Sequence, residues 1–246
     1  MTSPPRPSVT VTTSWDDGHR LDCRLAEILD AYDVPGTFYI SPASAELDPR
    51  DRLSPAQVAA ISAGFEVGAH TLTHPRLTSL SPEDARHEIA GSRARLEDVT
   101  GTRVESFCYP YGAFNAEHVR LVHEAGFSFA RTTRRFSLTA GPDPLRAPTT
   151  VHAYAHRVDV GPALTYAGPS LASALDLYLH WDRIAMALFD RTLERGGLYH
   201  LWGHSWELQR HNDWARLRRV LDYISRRPGV RYAVNGTSYD ASEEVA

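Results

Sequence analysis

Cysteine is nearly missing: the 246 residues hold two, Cys23 and Cys108. Two thiols cannot form the disulfide framework that staples small secreted domains, and they suit a reducing compartment. A single bridge between them stays open. Basic charge is not in excess either. Lys and Arg total 26 against 30 Asp and Glu, a formal net charge of -4. That balance lacks the footprint of a nucleic-acid binder, and no polybasic tail is present. No apolar run approaches the roughly 18 residues of a membrane span. The opening MTSPPRPSVT holds no apolar stretch of the secretory type. The expectation is a cytoplasmic protein with neither a nucleic-acid nor a membrane partner; oligomeric state is not written in the sequence.

What the chain does hold is ordinary globular material, 42% hydrophobic and 23% charged. A chain of this length buries a large core without staples. Residues 1–8 read as a disordered leader and 9–246 as one domain. Short β-branched runs end in polar clusters: Val9 to Trp15, Gly36 to Ile40, Phe65 to Ala69, Glu105 to Tyr109, Phe127 to Arg131, Thr149 to Tyr154, Leu198 to Trp202 and Val230 to Val234. Between them, helical spacing predicts helices over Leu21 to Tyr32, Pro55 to Ala63, Pro82 to Thr100, Ala116 to Ala125, Leu171 to Arg195 and Trp214 to Arg227. Ser54 and Ser81 stand as N-caps before Pro55 and Pro82. Strands alternating with helices predict an α/β fold with a mainly parallel sheet, and the strand number suits a barrel. In such barrels chemistry collects at the C-terminal strand ends.

The polar clusters fall at those ends. Ser14-Trp15-Asp16-Asp17-Gly18 sets two carboxylates side by side, which repel unless one holds a cation. The other is then available as a base. Standing alone, Asp-Asp-Gly also reads as a turn. Gly68-Ala69-His70-Thr71-Leu72-Thr73-His74-Pro75 places two histidines four apart, which in one helical turn would aim both imidazoles at one ion. Asp plus two His gives three ligands and an open position, the arrangement of a catalytic rather than a structural site.

These stretches, with Phe107-Cys108-Tyr109-Pro110-Tyr111-Gly112, resemble the first three motifs of the polysaccharide deacetylase (NodB-homology, carbohydrate esterase family 4-like) family. The similarity runs from about residue 9 to 133, thins between 135 and 195, and returns at GGLYHLWGH. The resemblance implies a single-domain deformed (β/α)7 barrel and a divalent ion, most often zinc, with cobalt or manganese as alternatives. It assigns Asp17, His70 and His74 to the metal and Asp16 to the base. It also places Tyr109, Pro110 and Tyr111 around the acyl group, with the Tyr111 backbone N–H at the oxyanion.

The acid that protonates the leaving amine is sought in Leu198-Tyr199-His200-Leu201-Trp202-Gly203-His204. Alternation puts His200, Trp202 and His204 on one face, His204 at the strand end and His200 deeper. His204 is therefore the expected acid, as the family's last motif also implies, His200 a core residue with a satisfied hydrogen bond, and Trp202 a cavity wall. Where many relatives carry Arg before Pro-Pro-Tyr, this chain has Cys108 and Tyr109; Arg146 is a candidate for the missing cation. The Asp that orients the acid in relatives has no clear counterpart, with Asp182 and Glu207 both open. The expected reaction is hydrolysis of an N-acetylated amino sugar or small soluble N-acyl metabolite. A cyclic amide or ureide hydrolase and a non-catalytic binding barrel are the alternatives.

Overall fold

The computed structural model describes residues 8–156, 161, 164–165 and 171–239. The leader expected over 1–8 lies outside the described residues except for Ser8. The strands are β1 (Val9–Asp17), β2 (Thr37–Ile40), β3 (Glu66–Ala69), β4 (Ser106–Cys108), β5 (Phe129–Arg131), β6 (Val151–His152), β7 (Gly197–Gly203) and β8 (Val230–Tyr232). All pair in parallel, in the order β5-β4-β3-β2-β1-β7-β6, with β8 beside the first residues of β1.

Parallel neighbours need crossovers, and helices supply them. They are α1 (Asp22–Ala31), α2 (Pro55–Ser62), α3 (Pro82–Thr100), α4 (Ala116–Glu124), α5 (Leu171–Leu179), α6 (Trp181–Arg195), α7 (Ser205–Arg210) and α8 (Trp214–Ile224). Their ends follow local chemistry. Ser54 accepts from the Gln57 N–H, and Gln57 answers with a bond to the Ser54 N–H, a reciprocal cap on α2. Ser81 caps α3, which stops at Gly101 in the left-handed conformation, φ 67°. One apolar cluster runs from Val11 to Ile224, and α1 sets Leu25, Ile28 and Leu29 into it. Burying each such side chain contributes about 1.5–3 kcal/mol.

The sheet curls until its edges nearly meet. Ala147 donates to the Ala130 carbonyl (2.9 Å) and accepts from the Thr132 N–H (2.9 Å), against β5. A few residues on, Thr150 and Ala153 donate to His200 (3.0 Å) and Trp202 (2.7 Å) of β7. Seven strands along this curled path make the deformed (β/α)7 barrel that the resemblance implied, as one domain. No helix among the described residues is long and apolar enough to cross a membrane.

Three elements differ from expectation. The helix predicted over Leu171 to Arg195 breaks at His180, whose φ of -128° and ψ of 87° are not helical. Trp181 is turned into the core, and its indole N–H reaches Asp213 Oδ2 at 3.0 Å. Leu175 and Leu179, before the break, stay exposed. Helix α7 follows directly on β7 and was not foreseen, being only six residues long. Finally, His70 to His74 is not a helical turn: Thr71 and His74 have φ of 64° and 65°. The loop is pinned instead. The Thr73 N–H and hydroxyl both reach the Glu88 carboxylate (2.9 and 2.7 Å), and the Ser41 hydroxyl donates to the His70 carbonyl (2.5 Å).

Candidate active site

A cavity of about 610 Å³ opens at the C-terminal strand ends, and Asp16, Asp17, His70, His74 and His204 all line it. Alternation along β1 sends Asp16 and Asp17 in different directions. Asp17 sits at φ 83° and Gly18 at φ 73°. A Cβ on Gly18 would stand 2.7 Å from Ile40 Cγ2, so glycine is what lets the chain turn there. Positive φ is costly for other residues, and Asp17, His74 and Tyr111 of the cavity wall all adopt it.

Asp17 Oδ2 accepts from the Trp206 indole N–H at 2.8 Å, while Oδ1 is buried with no hydrogen-bond partner. That orphaned oxygen lies 3.4 Å from His74 Nε2 and 3.8 Å from His70 Nε2, and the two Nε2 atoms are 3.2 Å apart. His70 Nδ1 donates to the Cys108 carbonyl at 2.7 Å, which fixes the tautomer and leaves Nε2 a bare lone pair. Burial first, then His74 beside it, holds the His70 pKa down to about 4, so it is a neutral imidazole. His74 Nδ1 lies 3.0 Å from Glu46 Oε2. Lone pairs and a carboxylate oxygen converging in a buried place repel one another unless a cation lies between them. Ligands about 2.0–2.1 Å from a tetrahedral ion are about 3.3 Å apart. The observed 3.2 to 3.8 Å edges fit that spacing. The donor set fits a divalent ion.

Asp16 is 2% exposed and faces Arg131, itself fully buried. The Arg131 Nη2 donates directly to Asp16 Oδ2. Burial by itself would raise the Asp16 pKa; Arg131, with His70 and His204, outweighs it and brings the group to about 2. Asp16 is therefore a carboxylate, with Oδ1 buried and unpartnered. The cation sought in Arg146 is thus Arg131. Arg146 lies exposed on a short turn and pairs with Asp143 at 3.1 Å, because its turn faces outward while β5 ends inside the barrel. Cys108, at the place where relatives carry arginine, turns its thiol toward Asp16 Oδ2 at 3.8 Å.

His204 stands opposite, at the end of β7. Its Nε2 is 4.0 Å from Asp16 Oδ2 and 3.9 Å from Asp17 Oδ2. Its Nδ1 meets Glu207 Oε2 at 2.5 Å. Burial disfavours the imidazolium, yet Asp17, Glu207 and Asp16 together raise its pKa to about 9. Of the two open candidates for the orienting acid, Glu207 makes the contact, whereas Asp182 is buried elsewhere against Arg219. His200 is where alternation put it, deeper in the strand, with Nε2 2.9 Å from the Ser14 hydroxyl. Trp202 lines the cavity.

Tyr109 is buried, donates to the Leu145 carbonyl at 3.0 Å and stacks on Phe114, making a fixed wall. Tyr111 is 44% exposed at the mouth, and its hydroxyl reaches Glu46. Pro110 sets the turn between them. Sequence reasoning missed Arg131, Glu46 and His152. Arg131 carried a readable signal, an arginine closing a strand otherwise made of Phe129 and Ala130. His152 lies on a two-residue strand whose pattern is too short to read.

With this geometry in view, residues 3–130 match the family described as polysaccharide deacetylase. The Bacillus subtilis (strain 168) protein YheN, provisionally named a polysaccharide deacetylase, is 30% identical over 126 residues, 49% of this chain and 43% of that protein. The match thus spans less than half of that relative's length. A Mycobacterium smegmatis crystal structure, also provisionally named a polysaccharide deacetylase, superposes with a TM-score of 0.69 at 20% identity, over 100% of this chain and 92% of the other. The family 4 carbohydrate esterase from Streptomyces lividans, in complex with acetate, gives 0.60 at 17% identity over 93% of each chain. At these identities the structural likeness is one of fold.

Proposed function

The chain belongs to the polysaccharide deacetylase family, and on that premise we propose that it is a metal-dependent amide hydrolase that removes the acetyl group from an N-acetylated amino sugar or a small N-acyl compound. The observation that carries this reading is the convergence of Asp17 Oδ1, His70 Nε2 and His74 Nε2 between a buried carboxylate and a raised-pKa histidine. Asp17, His70 and His74 would hold the ion, zinc before cobalt or manganese. Such an ion supplies Lewis acidity, polarising the acyl carbonyl and making water acidic enough to lose a proton near neutral pH.

The chain's own groups divide the remaining work. Asp16, ionised and held by Arg131, takes the proton of the attacking water. The backbone N–H of Tyr111 is the donor that the family resemblance assigns to the oxygen on which charge develops. His204 enters as imidazolium, held by Glu207 through Nδ1, and gives its Nε2 proton to the leaving nitrogen. Water and amide give acetic acid and amine, which part as acetate and ammonium, with one proton moved to Asp16 and one delivered from His204. Tyr109 and Trp202 wall the acyl end, and Tyr111 and Trp206 the outer part. The acetate complex of the Streptomyces lividans relative supports an acetyl group as the part removed.

Acetate release from a panel of N-acetylated sugars and small N-acyl amides, with metal-loaded and chelator-treated protein, tests the proposal. Release that needs the metal is expected. Full activity without metal would promote the cyclic amide or ureide reading. No release from that panel, and no ring opening of cyclic amides or ureides, would leave only the binding barrel.

A further inference from the structure

The reaction as written leaves His152, a buried histidine beside the acid, without a task. It closes β6 at 4% exposure. Its ring lies flat on Trp202, with centroids 3.9 Å apart and planes within 6°. The guanidinium carbon of Arg131 is 4.5 Å from the centre of the same indole. Trp202 thus packs against both the partner of the base and His152. The His152 Nε2 lies 3.1 Å from Glu207 Oε2, the same oxygen that His204 Nδ1 meets at 2.5 Å. The His152 Nδ1 is 2.6 Å from His156 Nε2.

One arrangement of protons suits all these contacts. A carboxylate only accepts, so His204 Nδ1 presents an N–H to Glu207, and the same carboxylate oxygen faces His152 Nε2–H across 3.1 Å, a close charged contact off the line of a hydrogen bond. His152 Nδ1 then carries a lone pair and accepts from His156 Nε2–H. The alternative, a second ion among His152, His204 and Glu207, conflicts with the 2.5 Å His204–Glu207 separation, which is a hydrogen-bond length and shorter than any edge of an ion's ligand shell.

We propose that His152 is a positioning residue for the acid: through Glu207 it holds the His204 imidazole in the tautomer and orientation that present Nε2–H to the leaving nitrogen. This rests on the reading of His204 as the acid. The physical need is plain. Glu207 is a long, flexible side chain on a six-residue helix. A single bond from His204 would let both swing together, whereas a second contact from β6 ties the carboxylate to the barrel wall. A short distance error at an acid is costly because proton transfer depends on alignment.

Two variants separate hydrogen bonding from packing. His152→Phe keeps a flat ring against Trp202 and removes both nitrogens; His152→Gln offers an amide N–H toward Glu207. The substrates are 4-nitroacetanilide and 4-nitrophenyl acetate, which share acyl and aryl groups, but only the anilide needs a proton on its leaving atom. For His152→Phe, kcat on the anilide is expected to fall about tenfold, with KM and the ester rate within about twofold, and His152→Gln should recover most of the loss. A second readout needs no substrate. In protein carrying 15N-histidine, the far-downfield proton of the His204–Glu207 bond should be lost in Glu207→Gln and be moved or broadened in His152→Phe. An unmoved proton signal would overturn the proposal, as would equal losses on anilide and ester. If wild-type protein cleaves no amide while the signal moves as expected, amide hydrolysis fails and the link from His152 to His204 stands.

Discussion

Asp16 and Asp17 leave β1 as neighbours, and the two histidines that join them come from one loop, four residues apart. On the facing wall, His204, Glu207 and His152 come from β7, a short helix and β6, and touch only through side chains. The first wall is set mainly by backbone: a turn at Asp17 and Gly18, a loop whose Thr73 N–H is held by the Glu88 carboxylate, and one carbonyl fixing the His70 tautomer. The second is set by a carboxylate shared between imidazoles. A wall fixed by backbone should fail sharply, at the residue changed. A wall fixed by side chains should fail by degrees.

The sharpest break expected is at the cation cradle. His70→Ala removes a ligand and leaves Asp17 Oδ1 facing one imidazole. Elemental analysis is expected to fall from about one divalent ion per chain toward zero, with acetate release at the uncatalysed level. Next in size is Asp16→Asn, which spares every ligand. Turnover should fall roughly 10²–10⁴-fold while metal content holds. Loss of metal in that variant would mean that the two aspartates have exchanged roles.

The acid wall gives the graded effects. His204 is charged below a pKa of about 9 and neutral above it, so the rate should decline on the alkaline side as that proton is lost. A cation on Asp17 offsets one of the carboxylates that raise this pKa, so the limb in loaded enzyme falls below about 9. Glu207→Gln removes another. It should move the alkaline limb further down in pH and cost roughly 10–100-fold in turnover, with the ion retained. Rate profiles of wild type and Glu207→Gln against pH measure both effects. A limb that stays in place would detach Glu207 from the acid.

The same contrast explains what could be read beforehand. Asp16, Asp17, His70 and His74 lie within two short stretches at predicted strand ends, and the resemblance of both stretches to one family's motifs joined them. Their convergence was legible even though the predicted helical turn is a strained loop. Alternation placed His200, Trp202 and His204 because β7 is seven residues long. Arg131 was lost to Arg146 because which of several arginines turns inward depends on the parity of a three-residue strand. Glu207 stayed one of two candidates, since α7 has too few residues to show a face. The break at His180 needed the burial of Trp181, a tertiary fact.

The smallest effect on rate belongs to His200, which tests whether depth in the strand separates structure from chemistry. It is 1% exposed, with Nε2 against Ser14 and its backbone N–H donating to the Thr150 hydroxyl at 2.9 Å. Burial, then Arg131 nearby, brings its pKa to about 3, below the usual value of 6.5. The folded state thus holds His200 neutral, while the unfolded chain takes up a proton once the pH drops below 6.5. Stability should therefore decline as pH falls from 6.5 toward 3, by up to about 1.4 kcal/mol per pH unit for this one group. His200→Gln removes that proton uptake while keeping an amide within reach of Ser14. Denaturant unfolding of metal-free protein at several pH values should show a shallower acid slope in the variant, and a loss of about 1–3 kcal/mol near neutrality from imperfect packing. Turnover of the metal-loaded variant should stay within about threefold of wild type, because the side chain reaches neither the cavity nor a ligand. A variant that folds as stably as wild type but releases no acetate would move the acid from His204 to His200 and reverse the depth assignment along β7.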